Sequence, residues 1–215
     1  MRANSVGNLV LLVVGLMIAS PAPVLAGDTV LQSRPSDPVE YDEVEMFSDL
    51  ADQVGWGTLR QTEHMKRANS AYGAGSIMAV TGVPYFTLTF YLQSRDWAFQ
   101  RLLGPDEADA HLQEIYVDPS AGIQFDILVI SETREILQSA SPTVTFIEGS
   151  GREWAPTPVD LSVGEEPTLG GQLFAGRGTV LVPLAEGFRW EDAEGFALRL
   201  ELGEAQRTLN WRFAD

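Results

Sequence analysis

The chain has 215 residues, enough for one domain of ordinary size whose core needs no covalent staples. It contains no cysteine, which excludes disulfides, a thiol nucleophile, thiolate zinc or iron–sulfur sites, and a lipid-modified cysteine. Thirty acidic residues against 14 basic ones give a formal charge of −16, which repels phosphate backbones and anionic lipid, so no nucleic acid or peripheral membrane partner is expected.

That imbalance suits a cationic partner, bound divalent cations or a salty exterior. Plain solubility and compositional bias compete with all three, and Lys66 being the sole lysine points to bias.

Residues 1–26 read as an export signal. Arg2 supplies the positive end, Leu9 to Ile18 an apolar run, and Ser20-Pro21-Ala22-Pro23 a break. Val24-Leu25-Ala26 then places small or aliphatic residues before a cut between Ala26 and Gly27. The run is shorter than the roughly 20 apolar residues a bilayer span needs, and no later segment approaches that length. The expected mature protein is exported, periplasmic or extracellular, with no transmembrane helix after signal removal.

Residues 27–45 read as an acidic flexible arm, with Asp28, Asp37, Glu40, Asp42, Glu43 and Glu45 beside Pro35 and Pro38. Residues 46–74 read as a helical segment packing on the domain. Met46, Phe47, Leu50, Ala51 and Val54 recur at helical spacing, with Ser48 or Asp49 as cap. Gly55-Trp56-Gly57 interrupts, and Leu59 to Asn69 suits a second polar helix ended by Tyr72-Gly73-Ala74-Gly75. His64 falls on its exposed side, with no nucleophile or partner marked.

From residue 75 the period becomes two. Tyr85 to Leu92 reads as a strand with Phe86, Leu88, Phe90 and Leu92 on one face and Tyr85, Thr87, Thr89 and Tyr91 on the other. Exposed, the second face forms an amphipathic strip able to stack sugars or accept a protein, and Trp97 and Tyr116 extend it. Covered, it is second-layer core.

Asp106, Glu107, Asp109, His111 and Glu114 offer oxygen and imidazole ligands to a divalent cation, calcium first. They match no recognised metal loop, and Pro105 favours a solvated surface turn. No other cofactor is expected.

Gly122 to Ile130 alternates cleanly, carrying Ile123, Phe125, Ile127 and Val129 inward. By the same alternation Asp126 faces solvent. Asp126 and Glu132 are nonetheless the least surface-like carboxylates for acid–base hydrolysis. Thr143 to Ile147 is a shorter strand, and Gly149-Ser150-Gly151 lacks the setting of a nucleophile elbow. A weak strand surrounds Val159 to Val163, and Gly164 to Gly178 reads as glycine-rich turns. There Gly176-Arg177-Gly178 resembles a phosphate-loop fragment without its helix. Thr179 to Leu184 is a buried strand. Phe196 to Leu202 and Leu209 to Phe213 form a hairpin across Gly203-Glu204-Ala205, and Trp190 and Trp211 serve the core.

These elements predict a mainly β fold: an antiparallel two-sheet sandwich over residues 75–215, immunoglobulin-like or a partly open barrel, with a short helical N-terminal segment. The expected function is that of an exported binding or interaction domain with a protein or glycan partner and no catalytic centre. A carboxylate-based hydrolase and a calcium-stabilised surface domain are the alternatives.

Overall fold

A computed structural model describes residues 27–73, 77–139, 141–168 and 171–214. The proposed export signal lies outside the described residues. Ten strands form two five-stranded sheets. Sheet 1 runs β1 (Thr29–Leu31), β10 (Ala205–Phe213), β9 (Gly195–Leu202), β5 (Thr143–Glu148), β6 (Thr157–Pro158). Sheet 2 runs β2 (Asn69–Tyr72), β3 (Ile77–Pro84), β4 (Gly122–Ser131), β8 (Gly171–Pro183), β7 (Ser162–Thr168). The architecture is sandwich-like, and it does not close into a barrel. All pairings are antiparallel except that of β1 with β10.

The alternating segments form the core because every second side chain reaches the opposite sheet. Ile123, Phe125, Ile127 and Val129 of β4 meet Leu198, Leu200, Leu209 and Trp211 of sheet 1 in one cluster. Phe196 stacks on Trp211 at 5.0 Å and on Phe146 at 5.6 Å, and Phe125 closes on Trp211 at 5.8 Å. The hairpin between β9 and β10 turns at Gly203, whose φ of +60° suits the first central position of a two-residue loop.

Helices are not confined to a short N-terminal segment. They continue through the middle of the chain as α1 (Tyr41–Val54), α2 (Trp56–Met65), α3 (Thr87–Gln100), α4 (Pro105–Ile115) and the short α5 (Arg134–Ser139). None among the described residues is long and apolar enough to cross a membrane. Phe47, Ala51 and Leu59 of α1 and α2 pack on Tyr91 and Leu92 of α3 in a second, separate core.

The strand expected at Tyr85 to Leu92 is instead the start of α3. Pro84 ends β3, and Thr89 Oγ1 accepts the Phe86 N–H at 3.1 Å, the reach-back of a third helical residue to its cap. The helix is buried on most sides, so its polar and apolar positions carry no 3.6-residue stripe. The predicted turn at Pro105 is likewise a helix start. Proline suits the first helical position, and Glu107 accepts the Gly104 N–H at 3.0 Å.

Three further expectations are corrected. The acidic arm is largely structured: Thr29–Leu31 joins sheet 1, Arg34 donates to the Trp190 carbonyl at 3.0 Å, and α1 already begins at Tyr41. With β1 and β2 paired into the sheets, the sandwich starts well before residue 75. The glycine-rich stretch before Gly178 is not a run of turns but most of β7 and β8. A Cβ on Gly178 would lie 2.3 Å from the Asp160 backbone oxygen, so glycine there allows a chain segment to cross the strand.

Candidate functional site

Helices α2 and α3 lie over the outer face of sheet 2 without sealing it, and the gap is a cleft of about 760 Å³. Alternation builds its floor. Thr81 and Val83 of β3, Asp126 and Leu128 of β4, and Arg177 and Thr179 of β8 all point away from the sandwich core. Arg60 and His64, one helical turn apart on α2, form one wall, and Gln93 and Asp96 of α3 form the other.

Asp126 is the centre of the polar network. Its Oδ2 accepts the Tyr85 hydroxyl at 3.0 Å and meets His64 Nε2 at 3.2 Å, while Oδ1 accepts the Thr179 hydroxyl at 2.8 Å. Burial opposes its charge, but the hydrogen bonds from His64, Thr179 and Tyr85 outweigh that effect and hold the carboxyl below its usual range. Burial, reinforced by the Asp126 charge, pushes the Tyr85 phenol far above its ordinary value. Since a carboxylate can only accept, His64 carries its proton on Nε2. Its Nδ1 is buried with no hydrogen-bond partner among the described residues.

The expectation of an exposed His64 is therefore corrected: its side chain is only 18% exposed and is bonded to β4. Asp126 does face away from the core, as alternation requires, but into a half-covered cleft rather than open solvent. A carboxyl held below its usual range is an acceptor at neutral pH and not a proton donor. Nor does His64 offer a free nitrogen towards the cleft, because one is bonded to Asp126 and the other is enclosed. Glu132 is exposed at the far end of β4.

A second ionic group joins α2 to α3. Asp96, 4% exposed, receives Gln100 Nε2 on Oδ1 at 3.0 Å and lies 3.3 Å from Arg60 Nε through Oδ2. A Cβ on Gly57 would come within 3.2 Å of Asp96 Oδ1, so glycine lets this carboxylate tuck against α2.

The two predicted sites fare differently from this cleft. Tyr85, Thr87, Thr89 and Tyr91 do not share one face. Thr89 caps α3, Thr87 donates to the Pro35 carbonyl at 3.2 Å, and Tyr91 is buried in the helical core beneath Arg95. Of the four, Tyr85 and Thr89 border the cleft. Trp97 is stacked on His111 at 4.1 Å instead of extending a strip, and Tyr116 meets Phe90.

Asp106, Glu107, Asp109, His111 and Glu114 all lie on α4, where helical spacing spreads them around the axis. Glu107 caps the helix, Asp109 pairs with Arg95 at 2.7 Å, and His111 pairs with Glu114 at 3.4 Å. No group of three or more metal-ligating side chains converges among the described residues.

Sequence reasoning singled out Asp126, and Tyr85 separately as part of a strip, but did not show that His64, Tyr85 and Thr179 converge on the carboxylate. His64 lies 62 positions away, Tyr85 41 and Thr179 53, and no local pattern joins such distances.

No protein-family model matches the chain, and no curated protein matches it. Among solved structures it is similar to the crystal structure of a DUF4426 family protein from Pseudomonas aeruginosa PAO1. That similarity has 14% identity and a TM-score of 0.23, over 66% of this chain and 93% of that one. A likeness of that size carries no argument about chemistry, which rests on the geometry above.

The Asp126 network makes stability pH-dependent in a stated direction. A carboxyl lowered in the folded state stabilises the fold above its unfolded pKa, near 3.8, and that contribution fades as pH falls through the folded value. Asp126→Asn is therefore expected to melt below the wild type at neutral pH, with the gap closing under acid. Melting curves across pH 7 to about 3 check this; a gap that widens on acidification contradicts it.

Proposed function

We propose that this protein is an exported, non-catalytic binding domain of the cell envelope or exterior, and that it binds a small polar molecule in the cleft between α2, α3 and sheet 2. The supporting observation is the cleft itself: about 760 Å³, within the roughly 300–1,000 Å³ usual for small-molecule sites. Its lining combines amide, hydroxyl and charged groups with a few apolar ones such as Met65 and Val83. Its ionisable centres are engaged in holding one another rather than poised to transfer protons. The leader-like first 26 residues are the reason for placing it outside the cytoplasm.

Thermal shift against neutral sugars, sugar acids, amino acids and short peptides tests the reading. At least one class is expected to raise the midpoint of the wild type, and Gln93→Trp, which fills the cleft from α3, should abolish that rise. A panel that leaves the wild type unmoved, or a rise that survives Gln93→Trp in full, removes the cleft from consideration.

A further inference from the structure

We infer that the cleft recognises a carboxylate-bearing small molecule through the free fork of Arg60, an assignment that rests on the binding role proposed above. The chain as a whole is strongly acidic, yet this cleft is not. Arg60, Arg177 and the His64 imidazole line it together with only two carboxylates. Both carboxylates are already occupied. Asp126 takes three side-chain partners, and Asp96 is held between Gln100 and Arg60.

Arg60 is the group left with unused capacity. Its guanidinium touches Asp96 through Nε, while Nη1 and Nη2 have no hydrogen-bond partner among the described residues. The side chain is 42% exposed, and it lines the cavity. A guanidinium fixed from behind presents its two terminal N–H groups side by side, the geometry that matches the two oxygens of a carboxylate. Asp96 acts as the positioning residue: buried and hydrogen-bonded by Gln100, it holds Arg60 Nε at the cleft wall through an ion pair of 3.3 Å. Hydroxyls and amides around the cavity, those of Gln61, Gln93 and Ser70 among them, face whatever polar body carries the acid.

Carboxylates of this kind occur on sugar acids and at peptide C-termini. Calorimetry on the purified protein separates the sources with two matched pairs: glucuronate against glucuronamide, and alanylalanine against its C-terminal amide. One acid is expected to bind at least tenfold more tightly than its amide, and the pair showing the difference identifies the source. Arg60→Gln should weaken that acid at least tenfold. Because Arg60→Gln strips Asp96 of its cation, Arg60→Lys provides the folded control: it keeps the charge beside Asp96, loses the fork, and is also expected to bind the acid more weakly.

An amide binding as well as its acid, with Arg60→Lys unchanged, overturns the carboxylate assignment and leaves the cleft as a binding site. Neither acid binding overturns it as well. In that case a neutral compound that raises the wild-type melting midpoint preserves the broader reading, and an unmoved panel removes both.

Discussion

Trp211→Ala is expected to lower the unfolding free energy by about 3–5 kcal/mol. Four separate contacts converge on this side chain. Its ring stacks on Phe196 at 5.0 Å and tilts on Phe125 at 5.8 Å, joining β9 and β10 of one sheet to β4 of the other. It also lies over Gly82 of β3, where an added Cβ would stand 3.3 Å from the indole edge. Finally, its Nε1 donates to the Arg67 carbonyl at 2.7 Å, fixing the turn between α2 and β2 to sheet 1. Removing the ring leaves a cavity between layers that cannot collapse without moving both sheets. Trp211→Phe isolates the polar part. It keeps most of the packing and strands a buried carbonyl, so its loss should be smaller, about 1–3 kcal/mol. Chemical denaturation of both variants gives the comparison; a Trp211→Ala loss below about 1 kcal/mol would contradict the central role of the ring.

Gly195→Ala is expected to cost about 2–3 kcal/mol, although it adds a single carbon. Gly195 opens β9 opposite Arg212, and its φ is not positive, so the requirement is closeness rather than backbone conformation. A Cβ there would sit 2.4 Å from the Trp211 carbonyl oxygen and 3.1 Å from the Arg212 Cα, both backbone atoms with little freedom to move. Relief requires spreading β9 from β10 at the end where Phe196 and Trp211 stack. Gly27→Ala is the matched control, since no heavy atom lies within 4 Å of its added carbon. It should change stability by no more than about 0.5 kcal/mol. Equal midpoints for the two variants would show that the strands part more easily than their backbone contact implies.

The sequence reveals the parts of the fold whose two faces meet different surroundings. Strands β4, β9 and β10 each have one side in the apolar core and one side polar, and their alternation follows that difference. It fails where an element is covered all round. Helix α3 buries Thr89, Phe90, Tyr91 and Leu92 in succession, so Thr-Leu-Thr-Phe looked like a strand when its true period had no exposed side to reveal it. Strand β8 was hidden for the opposite reason. Gly176 and Gly178, read as turns, are places where the Asp160–Leu161 segment passes too closely for a side chain. At the site, Asp126 stood out because a charge among apolar strand residues is unusual. His64 did not, because a polar helical stretch gives no sign of which side will meet a sheet.

The two sheets differ in what lies behind them. Sheet 2 carries the helical layer and the cleft, whereas the back of sheet 1 carries mostly uncharged residues, Thr208, Asn210 and Thr143 among them, with an ion-pair group on β9. There Arg199 grips Glu153 with two hydrogen bonds of 2.6 Å and lies 3.2 Å from Glu201. The molecule is thus two-sided, with a chemically varied cleft on one flank and, on the other, a polar sheet face tied by ion pairs. A surface or neighbour resting against the ion-paired flank would leave the opening opposite it unobstructed.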